Sequence, residues 1–107
     1  MAKYLIKASY STEGVKGVMR AGGTSRVNAV KRAVEGLGGS LESFYFAFGS
    51  DDVYVTVSAP HNNAAMAMSA AVGSSGALDR YETVVLLEPS EMDQAMDMVV
   101  DYAPPGS

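Results

Sequence analysis

The 107-residue chain contains no cysteine, no tryptophan and only one histidine. Without cysteine it can form no disulfide and no thiolate metal site, and it has no cysteine nucleophile. One histidine is too few for a structural zinc site, which needs about four converging ligands. A single histidine among many serines also defines no Ser-His-Asp arrangement. We therefore expect neither a bound metal nor a cofactor.

Long hydrophobic runs are also missing. No segment approaches the roughly 20 apolar residues that span a bilayer, and the first residues lack the apolar stretch of a secretory signal. The formal net charge of −4 disfavours nucleic acid as a partner, because affinity for phosphates comes largely from clustered Lys and Arg. We expect a cytoplasmic protein that binds neither nucleic acid nor membrane.

The residues that are present have a globular composition. Hydrophobic residues make up 48% of the chain and charged residues 19%, enough apolar content for a packed core. We expect one domain at residues 1–101 and a loose tail at 102–107, where Pro104 and Pro105 follow one another. Basic residues dominate the first third and acidic residues the last twenty. This polarity is typical of two solvated faces, but it could also orient protomers during association.

The strongest structural signal is a pair of aromatic or β-branched segments around Gly-Ser-Asp-Asp, residues 49–52. This pattern predicts a β-hairpin with strands at 40–48 and 53–59. Apolar alternation predicts a first strand at 3–10, with Tyr4, Ile6 and Ala8 on one face. A fourth strand is expected at 80–88, and its apolar centre, residues 83–87, predicts that both of its faces are covered.

Apolar residues at steps of three and four predict helices between these strands. Helices are expected at 11–19, capped by Ser11 or Thr12, and from Thr24 or Ser25 to Leu37. Two more are expected at 61–72, capped by Asn62 or Asn63, and after Pro89, capped by Ser90. The order of elements predicts an α+β, ferredoxin-like βαββαβ fold, with both main helices on one face of a four-stranded antiparallel sheet. The opposite face would be bare, so we expect a second copy to cover it.

Several motifs along the chain resemble the GYD domain family. They are Met1–Ile6, Thr12–Gly14, Leu37–Gly39, Ser43–Tyr45, Phe48–Gly49, Asp52–Val53 and Ala59–Pro60. The similarity extends over residues 1–92 and implies a small protein of uncharacterised function, similar in architecture to the dimeric α/β-barrel group. The family signature would place Gly, Tyr and Asp at positions 49, 51 and 52. Asp51 replaces the tyrosine here, which makes the hairpin more acidic.

Three residue types could support acid–base chemistry. Asp52 follows Asp51 in the only adjacent carboxylate pair, which could form an acid–base site, although their position favours turn residues bonded to local amides. His61 could transfer protons, but its position after Pro60 favours a solvated residue at a helix start. Tyr54 suits the wall of a small-ligand cavity, whereas strand tyrosines more often serve sheet packing.

A second candidate site lies in Arg20–Arg26, where two arginines flank glycines and hydroxyls just before a helix. Free amides and the helix dipole can hold an anion there, with Arg20 and Arg26 as its cationic partners. The segment matches neither the P-loop nor the dinucleotide fingerprint, and an ordinary capped loop is the other interpretation.

Three functions remain open at this point. The first is a homodimer or higher oligomer that binds a small organic ligand or assembles with itself. The second is a cofactor-independent enzyme, an oxygenase or isomerase of the dimeric α/β-barrel type, which only the analogy of fold supports. The third and weakest is a regulatory anion sensor that uses Arg20 and Arg26.

Overall fold

The computed structural model describes all 107 residues. Its elements in chain order are β1 (Ala2–Tyr10), α1 (Thr12–Ala21), α2 (Gly23–Gly36), β2 (Ser40–Phe46), β3 (Val53–Ala59), α3 (Asn62–Gly73), β4 (Leu78–Leu86) and α4 (Pro89–Met96). This order is the ferredoxin-like βαββαβ arrangement with an additional terminal helix, as the sequence predicts. None of the helices combines the length and hydrophobicity that crossing a membrane requires.

The four strands form one antiparallel sheet in the order β2-β3-β1-β4. The central strands β1 and β3 pair Tyr4 with Val57 and Ile6 with Val55. Because side chains alternate along a strand, these apolar residues share one face. The alternation predicted for both strands is confirmed, and it places the core on one side of the sheet.

Helices α2 and α3 cover that apolar face. Their buried side chains Val34, Ala64 and Met68 pack against the centre of the sheet. The core is small and consists of Tyr4, Ile6, Ala8, Val34, Val53, Val55, Val57, Ala59, Ala64 and Met68. The opposite face of the sheet has no helix over it, as expected from the topology.

Helices α1 and α2 meet at Gly22, whose φ of 86° lies in the left-handed region that favours glycine. Ser11 caps α1, because its side chain accepts a hydrogen bond from the amide of Gly14. The first helix is therefore a full helix that runs to Ala21, slightly longer than the turn predicted from the sequence.

Both predicted caps of the later helices are wrong. The His61 imidazole caps α3, since its Nδ1 accepts from the Ala64 amide at 3.3 Å. Asn62 is engaged elsewhere, because its Oδ1 accepts from the Tyr4 hydroxyl at 2.5 Å. Glu88 precedes α4 in place of Ser90, and its amide donates to the Glu91 carboxylate at 3.0 Å.

Strand β4 also differs from expectation. The sequence predicts that its centre is covered on both faces, yet Val85 is 56% exposed. The physical reason is position, since β4 is an edge strand that pairs only with β1. The loop between β2 and β3 is longer than a tight hairpin turn: it spans residues 47–52 and is closed by the Ala47 amide donating to the Asp52 carbonyl at 2.7 Å.

Residues 88–107, which we call the C-terminal arm, project from the rest of the molecule. Helix α4 has no buried residue, so its predicted apolar stripe does not face the core. The molecule measures 57 × 33 × 23 Å with a radius of gyration of 17.0 Å, whereas a compact chain of this length would have about 13 Å. The arm is thus an extension with little support from its own chain.

Candidate functional site

The largest cleft lies between α1, α2 and the loop that precedes β4. Its volume is about 550 Å³, within the range of small-ligand sites. Its walls come from three separate segments of the chain: Tyr10 to Gly22, Ser25 to Ala29, and Ser75 to Ala77. Small residues line much of the cleft, which leaves room between the two helices.

Close contacts with the loop at residues 75–77 fix α1 in position. The Ser11 amide donates to the Ala77 carbonyl at 2.8 Å, and its hydroxyl donates to the Gly76 carbonyl at 2.7 Å. Gly14 is required here, because a Cβ at this position would lie 2.0 Å from the Ala77 carbonyl oxygen. The floor of the cleft is therefore rigidly built from residues more than 60 positions apart in the chain.

The cleft brings together both arginines of the predicted anion site. Arg20 projects from α1 and Arg26 from α2, and both line the cleft. Neither forms an ion pair within the chain. The one carboxylate in the lining, Glu13, lies 3.8 Å from Lys16 on the exposed surface of α1. The cleft thus has two unpaired guanidinium groups and a positive balance.

Tyr10 forms the inner wall of this cleft at the end of β1. Burial raises the pKa of the Tyr10 phenol, while the neighbouring Arg26 guanidinium opposes this rise. The phenol is consequently neutral at physiological pH and can donate a hydrogen bond to a bound group. Tyr10 and Arg26 therefore offer a neutral and a charged donor side by side.

The adjacent carboxylates Asp51 and Asp52 bond to distant strands and not to local amides. The buried Asp51 Oδ1 accepts from Arg80 Nε at 3.0 Å and Nη2 at 2.9 Å. Asp52 Oδ2 accepts from the Tyr10 amide at 2.9 Å. The residue at the position of the family tyrosine thus ties the loop to β4, and Asp52 fixes the backbone of a cleft residue.

The three acid–base candidates do not share a pocket. Asp52 precedes β3 and His61 follows it, so they lie at opposite ends of a strand that is roughly 23 Å long. His61 is exposed at the start of α3. Tyr54 pairs with Lys7 and lies on the uncovered face of the sheet. No cluster of three or more potential metal-ligating side chains exists either.

The uncovered sheet face mixes ion pairs with apolar side chains. Lys3 Nζ lies 2.6 Å from Glu42 and Lys7 Nζ lies 3.1 Å from Glu82. Hydrogen bonds to these carboxylates raise the pKa of both lysines. Leu5 lies between the two lysines on the same face. This face is therefore amphipathic.

Sequence reasoning missed part of the cleft. It found Arg20 and Arg26, with Ser25 among the hydroxyls of the same local motif, but gave no sign that Glu13 and Ser75 belong to the same site. One signal that could have indicated α1 is the row of small residues Gly14, Gly17 and Ala21 at steps of three and four, which leaves room on one side of the helix. The loop at 75–77 carries no distinctive motif, since its role depends on tertiary contacts alone.

Comparisons with known proteins agree with this architecture. The family model described as GYD domain matches residues 4–96. The fold is similar to the crystal structure of MtbAldR, with a TM-score of 0.62 and 16% identity over 96% of this chain. This chain spans 57% of the length of that protein.

A second solved structure, that of FFRP-DM1, has a TM-score of 0.56 and 12% identity, and the match covers 81% of this chain and 100% of that one. At such low identities these two structures support the fold alone. No curated protein matches the chain in sequence.

Proposed function

This chain belongs to the GYD domain family, and on that premise we propose that it is a self-associating module that binds a small organic anion in the α1–α2 cleft. The observation that carries the proposal is that Arg20 of α1 and Arg26 of α2 line the same cleft and neither has a carboxylate partner. Arginine forks suit carboxylate and phosphate groups, because they donate parallel hydrogen bonds to two oxygens.

The walls of the cleft favour an organic ligand over an inorganic ion. Apolar side chains of Val18, Ala21 and Ala29 line the cleft beside the charged groups. A volume of about 550 Å³ exceeds what a phosphate or sulfate ion needs, and it suits a molecule with an apolar part and an acidic end. The neutral Tyr10 hydroxyl would then orient the acidic group against Arg26.

Self-association is supported by the uncovered face of the sheet. Leu5 and Tyr54 lie there among the ion pairs of Lys3 and Lys7. A two-fold arrangement would place this face against itself, so that each lysine or glutamate could meet its opposite charge on the other copy. Light scattering of the purified protein tests this part, and a stable monomer at micromolar concentration would contradict it.

Ligand binding is tested by calorimetry and thermal unfolding with small carboxylates and phosphates, including benzoate, citrate and inorganic phosphate. A ligand at a hundred times its Kd stabilises the folded state by about 2.7 kcal/mol. We expect at least one organic acid to raise the Tm of the wild-type protein and to bind more tightly than phosphate.

Arg20→Gln and Arg26→Gln should each weaken this binding. Arg32→Gln is the matched control, because Arg32 is exposed on α2 but does not line the cleft. Equal losses of binding affinity in all three variants would mean that binding depends only on the general surface charge. No binding across the panel would overturn the assignment of the cleft.

A further inference from the structure

We propose that the C-terminal arm of one protomer docks in a groove between α3 and β4 of a second copy. The groove is lined by Ala65 and Met66 of α3 and by Thr83 and Val85 of β4, and its volume is about 250 Å³. It lies on the covered side of the sheet, away from both the α1–α2 cleft and the amphipathic face. The proposal is therefore independent of the ligand assigned to the cleft.

The arm has the composition of a segment that packs against another surface. Its apolar side chains are exposed in the protomer: Met92, Met96, Met98, Val99, Val100 and Tyr102. Met96 is 70% exposed and Val99 is 98% exposed. Scattered apolar residues are normal on a surface, but a run of this kind on a projecting segment marks an interaction site.

The groove is a matching apolar surface. Helix α3 has no charged residue across Asn62–Gly73, although one side of it faces outward. Met66 on this side is 69% exposed, and Val85 and Leu87 of the neighbouring edge are also exposed. A helix without a charged face is ordinarily buried. The second half of β4 likewise lacks the charges that protect an edge strand.

The accessible surface of the protomer is larger than expected for a folded monomer of its mass. The protomer exposes 7232 Å², whereas a folded monomer of this mass exposes about 5,700 Å². A standard protein interface buries about 800 Å² on each partner. The excess is therefore sufficient for a reciprocal exchange in which each copy contributes one arm and one groove.

Charge and connectivity select a second copy as the occupant. Residues 1–87 contain all eight basic residues of the chain and seven of its twelve acidic residues. The arm contains the other five acidic residues and no basic one. Two arms would repel each other, but the groove carries no charge. Only Leu87 and Glu88 separate β4 from α4, so a two-fold axis beside this edge would place each arm against the other copy. Exchange of an identical element is a low-cost route to a dimer.

Engineered cysteines test this contact directly, because the native chain has none. Full-length Met66→Cys and Met96→Cys variants are mixed at low micromolar concentration and treated with a short bismaleimide, and covalent dimers are quantified on a denaturing gel. We expect roughly tenfold more mixed dimer than in the control, because docking presents the partner thiol at a high effective concentration. The control replaces Met66→Cys with Lys31→Cys, which lies on the exposed side of α2.

The double variant carrying both cysteines distinguishes exchange from folding back. Links between two chains support the proposal. A link within one chain would mean that the arm covers its own groove, and a yield equal to the Lys31→Cys control would mean that the groove is not its site. Either result would overturn the proposal.

A second measurement does not depend on cross-linking. Val85→Glu places a carboxylate in the groove opposite an acidic arm. It is made in a Leu5→Glu background, in which a new charge disrupts association through the amphipathic sheet face, and it should lower the remaining dimer fraction in light scattering. Arg32→Gln in the same background, outside the groove, should leave that fraction unchanged. A Leu5→Glu, Val85→Glu protein that is folded by circular dichroism and associates as the Leu5→Glu protein does would contradict arm docking.

Discussion

The body of the molecule, residues 1–87, and its C-terminal arm contain similar apolar residues in opposite environments. Met68 on α3 is 9% exposed and packs in the core, whereas Met96 on α4 is 70% exposed. Both side chains are methionines on helices, so residue type does not explain the difference. What differs is the presence of a packing surface. The arm shows that an amphipathic pattern predicts a helix, but not that its own chain supplies the partner.

The largest expected effect separates these two regions by stability. Ile6→Ala removes a buried side chain from the centre of the sheet and should lower the free energy of unfolding by about 2–5 kcal/mol. Met96→Ala should change it by less than about 0.5 kcal/mol in dilute protein, because the exposed side chain loses no core contact. Urea denaturation followed by circular dichroism measures both. A comparable loss for Met96→Ala in the monomer would mean that the arm packs on its own body.

A smaller effect is expected at the first turn of α1. Gly14→Ala should cost about 1–3 kcal/mol, because its methyl group would collide with the Ala77 carbonyl and separate α1 from the loop. Gly17→Ala is the matched control on the same helix, with open space around it, and should stabilise by up to about 1 kcal/mol. Thermal unfolding compares the two variants. Equal Tm values would show that the contact at Gly14 is not tight in solution.

The central strands were predictable because their signal is local and periodic. Alternation in β1 and β3 reports directly which side chains share a face, and the register of Ile6 with Val55 follows that pattern. The Ser11 cap of α1 was predictable from local propensity, whereas the cap of α3 was not, since Asn62 is engaged by Tyr4, 58 positions away. Local propensity favours asparagine at a helix start, but this tertiary hydrogen bond leaves the cap to His61.

The candidate site, like the fold, was predictable only where its residues lie close together in the sequence. Arg20 and Arg26 stand in one local motif around a helix start, so the sequence alone could suggest them. Ser75 enters the cleft only through the contacts of Ser11 and Gly14 with the loop. At β4 the apolar pattern could not distinguish a strand covered on both faces from an edge strand whose Val85 is exposed, because both contain the same residues.

The smallest expected effect is on how the free energy of unfolding depends on pH at Tyr10 of the body, compared with a tyrosine of the arm. Burial raises the pKa of Tyr10 in the folded state. The contribution of the Tyr10 phenol to stability is therefore complete at pH values below its unfolded pKa, which is near 10. That contribution is lost as the pH rises through the pKa of the folded state. Lys3 and Lys7, whose pKa values are also raised, add to the same alkaline loss. Tyr10→Phe should therefore make the fall in stability between about pH 9 and 11 shallower without abolishing it.

The matched control for this titration is Tyr102→Phe in the arm, where the phenol is exposed in the folded chain. Urea denaturation at several pH values measures the slope for each variant, and the lysine contribution cancels in the comparison. The wild-type slope should persist in Tyr102→Phe. A Tyr10→Phe slope as steep as that of the wild type would mean that water reaches the Tyr10 phenol freely, and the inner wall of the cleft would then be open to solvent.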